Sequence, residues 1–383
     1  KLGSATADIS PHDIVSELRP DQMQMVEIAR AVGQNAKIIL LDEPTSSLNF
    51  EETEKLFESI RGLCSAGIGI IFVSHRMNEV RELSDRITIL RDGVVIVDGV
   101  PMSEKTDEEI VSDMLGEKLN AEEKKRKDSN AFESSAEVLS ISFDGYDGEL
   151  TVKEGEIVGL AGLAGSGRSS VLRTIWGTKP RSDIHLRYLG EEYKPKNPMY
   201  ALKKKIAYIS EDRSESGLFF GQPIKETVLM AHRNLQRKLF VKNKSEDKLL
   251  GQIIGEVQIK VPTHECMPEA LSGGNQQKLL FGRWITDEAK LLLLDEPTRG
   301  VDIKTKHEIY QRVRKMVEAN NAGALVVSSE LEELVLMCDK VLIIRDGHVE
   351  DVLTGDRITE NNMMAEITAS GNTKQQTEDN KSV

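Results

Sequence analysis

The stretch Gly162–Ser170 reads GLAGSGRSS and follows an apolar run of strand length, Ile157–Ala161. It has the form GxxxxG[K/R]S, with Arg168 where lysine is usual, and the residues after it predict a helix that begins near Ser169. Glycines at this spacing let backbone N–H groups curl around the phosphates of a nucleotide, and a helix N-terminus adds positive potential. The stretch therefore predicts a phosphate-binding loop in an α/β fold. A glycine-rich turn without a ligand is the alternative.

A dinucleotide-binding fingerprint fits this stretch poorly, because a third glycine is missing at the required spacing. We therefore expect the loop and the first turn of its helix to hold a nucleotide by its phosphates. The expected contact residues are Gly162, Gly165, Ser166, Gly167, Arg168, Ser169 and Ser170.

A second apolar run, Leu291–Leu294, ends on the acidic pair Asp295 and Glu296, and Asp295 lies 126 residues after Ser169. An acid at a strand end can hold Mg²⁺, and the carboxylate after it can orient or deprotonate an attacking water. Such a pair is weak evidence alone and strong evidence beside a phosphate loop. We predict Ser169 and Asp295 as magnesium ligands and Glu296 as a catalytic residue.

The chain contains an internal repeat. Leu41–Thr45 reads LDEPT and recurs as Leu294–Thr298 at an offset of 253 residues. Val73-Ser74 returns as Val327-Ser328, and the remaining matches keep the same order at offsets of 253 or 254. This period is too long for a solenoid, so it predicts two whole domains in tandem.

Each copy alternates apolar strands with amphipathic helices, which predicts a largely parallel sheet covered by helices. We predict the C-terminal part of a first domain over residues 1–116 and a second domain over residues 137–369. Residues 117–136 combine a charge run with a Ser/Asn-rich stretch and are interpreted as a solvated linker. The polar residues 370–383 predict a disordered tail.

The composition excludes several classes of protein. The 383 residues are 39% hydrophobic and 30% charged, as in a soluble globular protein, and no apolar run is long enough to span a bilayer. A net charge of −13 disfavours nucleic acid as a partner. Cys64, Cys266 and Cys338 stand far apart, which favours reduced thiols in a cytosolic setting.

The stretch Leu271–Lys278 reads LSGGNQQK, and its Ser272 lies 23 residues before Asp295. It resembles the signature sequence of ATP-binding cassettes. In that family Ser272, Gly273 and Gly274 would bring N–H groups to the γ-phosphate of an ATP held by another cassette, so that two cassettes form two shared sites.

The finer resemblance is to the tandem ATP-binding subunits of bacterial monosaccharide importers of the ribose, galactose and xylose type. It covers nearly all of residues 1–370. Besides the signature and the two LDEPT stretches, the residues that carry it are Met25–Arg30, Val73–Met77, Ser210–Arg213, Gly217-Leu218, Arg299–Asp302 and Ser328–Glu330.

The resemblance implies two tandem P-loop nucleotide-binding domains that use ATP and Mg²⁺, the first of them incomplete. Glu211 takes the position of the glutamine that senses the permease and the metal, and it is a further expected metal ligand. In the first copy, Asp42 is the expected metal ligand, Glu43 the catalytic carboxylate and His75 the switch histidine. Asn49 and Asp302 fall in the loops that signal between sites, and Asn49 departs from the usual Asp.

Site one would combine Asp42, Glu43 and His75 with Ser272–Gly274. Its phosphate loop would lie about 85 residues before Lys1, so we expect the chain to be truncated at its N-terminus.

Site two would combine the loop at Gly162–Ser170, Asp295 and Glu296 with the first signature, which reads LRPDQ at Leu18–Gln22. There Asp21 would place a carboxylate near a phosphate, a repulsion of about 4 kcal/mol for unit charges ~4 Å apart at an effective dielectric near 20. Ser329 stands where the switch histidine is expected. We infer that site two binds nucleotide and hydrolyses it poorly or not at all.

By resemblance, the chain is a peripheral ATPase on the cytoplasmic face of the membrane. Its expected partners are integral-membrane permease subunits and, indirectly, a periplasmic or lipid-anchored sugar-binding protein, with no nucleic acid. The sugar itself is not encoded in these residues. A catalytically inactive truncated remnant and a soluble tandem-cassette protein acting on ribosomes are the alternatives. Phe143 and Tyr146 are candidates for stacking on adenine, and ordinary packing is the equal alternative for each of them.

Overall fold

The computed structural model of the chain describes residues 9–45, 48, 50–74, 76–91, 93–116, 129–144, 146–163, 165–236, 243–261, 263–284 and 288–369. By their contacts, the described residues up to 116 form one compact unit together with Asp302–Lys304, and the other described residues from 129 onward form a second. No helix among these residues is both long enough and apolar enough to cross a membrane.

The first unit contains four helices and four strands among its described residues. Their bounds are α1 (Pro20–Gly33), β1 (Ile38–Asp42), α2 (Phe50–Ser65), β2 (Gly69–Val73), α3 (Met77–Leu83), β3 (Arg86–Arg91), β4 (Val94–Pro101) and α4 (Asp107–Leu115). Strands β1 and β2 pair in parallel and β3 and β4 pair antiparallel. The strand–helix–strand order β1, α2, β2 agrees with the alternation of strands and helices that the sequence predicts.

The second unit is built around two sheets. Its strands are β5 (Glu137–Phe143), β6 (Tyr146–Lys153), β7 (Ile157–Ala161), β8 (Ile184–Tyr188), β9 (Glu191–Glu192), β10 (Ile206–Ile209), β11 (Leu291–Asp295), β12 (Gly323–Val327), β13 (Lys340–Arg345) and β14 (His348–Thr354). The six-stranded sheet has the order β10-β11-β12-β7-β13-β14, and the second sheet has the order β6-β5-β8-β9.

Eight helices accompany these strands among the described residues. They are α5 (Arg168–Trp176), α6 (Pro198–Lys203), α7 (Ile224–Gln236), α8 (Asn243–Glu256), α9 (Gly273–Gly282), α10 (Ile303–Ala319), α11 (Leu331–Met337) and α12 (Glu360–Ala369). A short π-helical turn, Arg213–Gly217, follows β10. Because β10, β11, β12, β7 and β13 run parallel, their carboxyl ends meet at one edge of the sheet, where the loop after β7 and the acids after β11 lie.

The internal repeat is visible in the strand register. Ile38 pairs with Gly69 and Asp42 with Val73, and at offsets of 253 and 254 Leu291 pairs with Gly323 and Asp295 with Val327. In the second unit the middle strands are buried on both faces. One face packs against α5 and the antiparallel sheet, and the other face belongs to a second buried cluster. The corresponding face of β1 and β2 is exposed, with relative exposures of 61% for Ile38, 71% for Leu40, 51% for Ile71 and 50% for Val73.

The predicted linker is too long at its C-terminal end. Residues 129–132 form a 3₁₀ turn, in which Phe132 is 5% exposed and its carbonyl oxygen accepts a hydrogen bond of 3.0 Å from Lys153 Nζ. Burial of this single aromatic ring anchors the segment to the second unit, an effect that the polar composition around it conceals. Residues 117–128 lie outside the described part of the chain, as do residues 370–383 of the predicted tail.

The repeat supplies a matched test of burial. Leu293 is fully buried and its counterpart Leu40 is 71% exposed. We expect Leu293→Ala to lower the free energy of unfolding of the second unit by about 2–5 kcal/mol, because it leaves a cavity in the core. Leu40→Ala is expected to change unfolding by less than about 1 kcal/mol. Urea denaturation followed by circular dichroism measures both, and equal losses would contradict this account of the core.

Candidate functional site

The loop between β7 and α5 has a backbone shape that requires its glycines. Gly162 has φ +157, and a Cβ there would lie 2.3 Å from the carbonyl oxygen of Ile344. Gly167 has φ +95, and a Cβ there would lie 2.8 Å from the Cα of Gly347. The N–H of Gly347 donates to the carbonyl of Ser166 at 2.6 Å, so the loop is held against the turn between β13 and β14.

The same loop has the features of an anion receptor. The hydroxyl oxygen of Ser166 is buried and has no hydrogen-bond partner among the described residues. Buried polar atoms are almost always paired, so an orphan of this kind indicates a missing partner. The loop leads directly into α5, which begins at Arg168, and the free N–H groups of a helix N-terminus favour a negatively charged group there. The residues present therefore fit a phosphate.

Asp295 lies at the end of β11 with no exposed surface. Its Oδ1 accepts a hydrogen bond of 2.7 Å from the Ser169 hydroxyl, and its Oδ2 accepts one of 3.2 Å from the phenol of Tyr208. Burial raises the pKa of this carboxyl group, and the Ser169 and Tyr208 hydrogen bonds oppose the rise. The predicted pair of Ser169 and Asp295 is thus in direct contact.

This hydroxyl and carboxylate fit Mg²⁺. Both are hard oxygen donors, and Mg²⁺ at phosphate sites takes one or two protein ligands, with phosphate oxygens and water completing its shell. Among the described residues no group of three or more His, Cys, Asp or Glu side chains could hold a metal by itself.

Glu296 follows in a strained backbone conformation with φ +50, and its N–H donates to the carbonyl of Val327 at 2.9 Å. The Ser329 hydroxyl donates to Glu296 Oε2 at 3.1 Å, so the serine at the switch position contacts the predicted catalytic carboxylate. Burial raises the pKa of Glu296, which makes it a stronger base when ionised.

The guanidinium of Arg168 donates to the carbonyl of Ser328 at 2.8 Å. Burial lowers its pKa, and the charges of Glu296 and Asp295 oppose that shift. One of the five N–H donors of the Arg168 guanidinium is thus directed at the backbone just after β12. The charges of Asp295 and Glu296 act on the guanidinium as a whole.

Two other predicted residues of the second unit have side-chain partners of their own. Glu211 forms an ion pair with Arg299, and its charge acts on Asp295 and Arg168. Ser272 is the N-cap residue of α9 and accepts from the side chain of Asn275 at 3.1 Å. Their roles in metal and nucleotide binding stay predictions.

The two signature glycines are required by close packing. A Cβ on Gly274 would lie 2.9 Å from Thr305 Oγ1, and one on Gly273 would lie 3.1 Å from the carbonyl of Gly300. The carbonyl of Gly273 also accepts a hydrogen bond of 2.9 Å from Arg213.

Comparison with known proteins places these features in a family. Residues 147–299 match the model of the ABC transporter family. The chain is 35% identical over 361 residues to the putative ribose/galactose/methyl galactoside import ATP-binding protein of Albidiferax ferrireducens, covering 93% of this chain and 71% of that protein. It is 36% identical over 366 residues to the ribose import ATP-binding protein RbsA 1 of Streptomyces avermitilis, covering 95% and 70%.

The chain belongs to the ABC transporter ATP-binding proteins.

The fold agrees with this assignment. A solved ATP-binding cassette of an ABC transporter superposes with a TM-score of 0.51 at 17% identity, covering 61% of this chain and 98% of that one. The α/β P-loop fold predicted from the sequence, the resemblance to sugar-import ATP-binding subunits and the assignment as an ABC ATPase are thereby confirmed.

In the first unit of this ABC protein, Asp42 and Glu43 end β1 as Asp295 and Glu296 end β11. Glu43 has φ +44 and its N–H donates to the carbonyl of Val73 at 2.8 Å, the same arrangement as at Glu296. Unlike Asp295, Asp42 is exposed. His75 and Asn49 lie outside the described residues.

For Phe143, the structure favours ordinary packing, the second of the two alternatives. Phe143 is 4% exposed and meets the ring of His348 edge-on, with centroids 5.4 Å apart. Its position at the end of β5 turns the ring into the core, so no face is available for a base. The side chain of Tyr146 lies outside what the structure describes.

A buried glutamate that occurs in both units, Glu333 and its counterpart Glu79, was not predicted from the sequence. Glu333 is 2% exposed and accepts from Thr298 Oγ1 at 2.8 Å and from Ser328 Oγ at 2.5 Å. It therefore ties the loop after the acidic pair to the segment after β12. In the first unit Glu79 makes the same bonds, from Thr45 at 2.8 Å and from Ser74 at 2.7 Å. The repeated Ser-x-x-x-x-Glu spacing after β2 and β12 was the signal for this network.

Glu333 gives a pH-dependent prediction. Burial raises its pKa to about 7, so the folded state holds this proton more tightly than the unfolded chain does. Its contribution to stability is complete below the unfolded pKa and is lost as pH rises through 7, by up to about 3 kcal/mol. Glu333→Gln should remove this loss between pH 5 and pH 8 in urea denaturation, and the exposed Glu350→Gln should retain it. An unchanged pH slope in Glu333→Gln would contradict the assignment.

Proposed function

We propose that this chain is an ATP-binding and ATP-hydrolysing subunit that energises the import of a simple sugar through a membrane permease. The observation that carries the proposal is the hydrogen bond from Ser169 to Asp295, next to a loop in which the buried Ser166 hydroxyl has no partner among the described residues. Several relatives that match more than nine tenths of the chain are named as ribose or galactose import ATP-binding proteins. These names support a simple sugar as the transported solute.

The proposal includes two tandem cassettes, the first of them incomplete in this sequence. The equal register of the two strand pairs and the equal backbone conformation of Glu43 and Glu296 support it. In the first unit, the proposed residues of site one are Asp42, Glu43 and His75. In the second unit, the proposed residues of site two are the loop at Gly162–Ser170, Asp295 and Glu296. Of the two, only site two has its phosphate loop among these residues.

In site two, the glycine-shaped loop and the N-terminus of α5 would hold the phosphates, and Ser169 and Asp295 would hold Mg²⁺. The metal would neutralise charge on the phosphate oxygens. Glu296 would orient the attacking water and accept its proton. The Ser329 hydroxyl already occupies one oxygen of Glu296 and offers no imidazole to the γ-phosphate, so we expect this site to bind ATP and turn it over very slowly.

The proposed partners are integral-membrane permease subunits, contacted from the cytoplasmic face as a peripheral protein, and indirectly a sugar-binding protein. The net charge of −13 argues against the alternative of a ribosome-associated ATPase. Co-purification of the chain with the permease subunits of a sugar import system from the same organism tests this part. Retention on ribosomes and not on the permease would overturn it.

Nucleotide binding is tested at Arg168. We expect Arg168→Ala to weaken binding of a fluorescent ATP analogue at least about tenfold, because a half-buried cation of the loop is lost. The exposed Arg187→Ala is the matched control and should bind as the wild type does. Equal affinities in the wild type and both variants would contradict the assignment of the loop.

Turnover is tested at Glu296. The chain as given is expected to show negligible Mg²⁺-dependent ATPase activity while it binds ATP. Phosphate release measured with Glu296→Gln as the comparison should be the same within error, and Glu43→Gln should also be indistinguishable. Robust activity that Glu296→Gln abolishes would show that site two is catalytic.

A further inference from the structure

A groove of about 500 Å³ is lined by residues of α5, β10, the π-helical turn and the end of α9. Its aromatic wall consists of Trp176, Tyr208 and Trp284, and it contains both tryptophans of the chain. The ring of Trp176 stacks on Tyr208 with centroids 5.7 Å apart and an interplanar angle of 28°, and Trp284 meets Trp176 edge-on at 6.0 Å. The groove is thus bounded by rings in continuous contact.

Tyr208 connects this wall to Asp295. Its hydroxyl donates to Asp295 Oδ2 at 3.2 Å. Arg173 lies 4.0 Å from the same carboxylate oxygen. The stack with Trp176 fixes the ring that carries the Tyr208 hydroxyl, and thereby restricts where this hydroxyl can lie.

The orientation of Asp295 depends on this contact. Its Oδ1 faces the Ser169 hydroxyl at 2.7 Å, and Tyr208 supplies the hydrogen bond to Oδ2. Without the phenol hydroxyl, the remaining contact of Oδ2 among the described residues is Arg173, at 4.0 Å, and the Ser169 hydrogen bond to Oδ1 is left to restrain the terminal torsion of the carboxylate. Outer partners that orient a metal-binding carboxylate commonly change metal affinity by about 10–100-fold.

We propose that Tyr208 is a positioning residue for Asp295: its hydroxyl sets the carboxylate for the magnesium that accompanies the nucleotide, and its stacked ring links that site to the tryptophan wall of the groove. The inference rests on the proposed nucleotide site and adds a connection between that site and a surface groove. Binding of the magnesium nucleotide should therefore change the environment of Trp176, and a substitution in the aromatic wall should change the orientation of Asp295.

A matched control separates this role from ordinary packing. Tyr188 is 3% exposed, and its hydroxyl donates to the backbone carbonyl of Lys204 at 2.8 Å. Both Tyr188→Phe and Tyr208→Phe remove a hydrogen-bonded phenol hydroxyl. The hydroxyl of Tyr188, however, does not bond to Asp295. Both variants keep the ring and are expected to fold, which circular dichroism and thermal unfolding check.

The experiment measures the affinity of the full chain for a fluorescent ATP analogue in Mg²⁺ and in EDTA. The wild type and Tyr188→Phe should bind more tightly in Mg²⁺. Tyr208→Phe should bind as the wild type does in EDTA and lose roughly tenfold of the magnesium-dependent gain, the loss expected for a hydrogen bond to a charged group. An undiminished gain in Tyr208→Phe would overturn the inference, and so would equal losses of affinity in Mg²⁺ and EDTA, which indicate packing alone.

Tryptophan fluorescence gives a readout independent of affinity. Saturating Mg²⁺ and ADP should change the emission of the wild type and of Tyr188→Phe, and should change that of Tyr208→Phe by less than half as much. Equal changes of emission in all three proteins would show that the Tyr208 hydroxyl does not connect the nucleotide site to the tryptophans. A wild type that binds no nucleotide in either condition would overturn the proposed function itself, a result distinguishable from the others because it does not require a variant.

Discussion

The second unit depends on a carboxylate held in an apolar sheet. Asp295 ends a strand of four buried leucines and has no exposed surface, so its charge is out of contact with water. Such a group is tolerated only when hydrogen bonds replace the lost hydration. Ser169 from α5 and Tyr208 from β10 provide them, so the need to satisfy one acid fixes the position of a helix and a neighbouring strand. The phosphate loop lies between β7 and that helix, and its glycines give the chain room to turn.

The sequence predicts this part well because its chemistry is local. The spacing of the glycines in Gly162–Ser170 already defines the loop, and apolar runs that end in Asp-Glu define the strands beside it. Contacts made across the fold were not predictable in the same way. Tyr208 lies 87 residues from Asp295, and Thr298 lies 35 residues from Glu333, so no window of sequence shows that these side chains meet.

Two aromatic side chains show what the sequence leaves open. Phe143 is a candidate for stacking on adenine or for ordinary packing, and Phe132 falls within the segment interpreted as a solvated linker. Both rings are buried, because burial of an aromatic side chain outweighs the polarity of the residues around it. Composition averages over a segment, whereas packing is decided by single side chains.

The open face of β1 and β2 has a consequence for how the chain behaves in solution. Four branched apolar side chains form a flat stripe there, and β2 has no neighbour on its outer edge among the described residues. A strand with unpaired backbone groups next to an apolar surface is a template for another strand. Self-association of this chain should therefore begin at residues 38–42 and 69–73, and it should grow with protein concentration. A charged residue at the centre of the stripe, as in Leu40→Lys, would improve solubility without changing any residue of the loop at Gly162–Ser170 or of the acidic pair Asp295-Glu296.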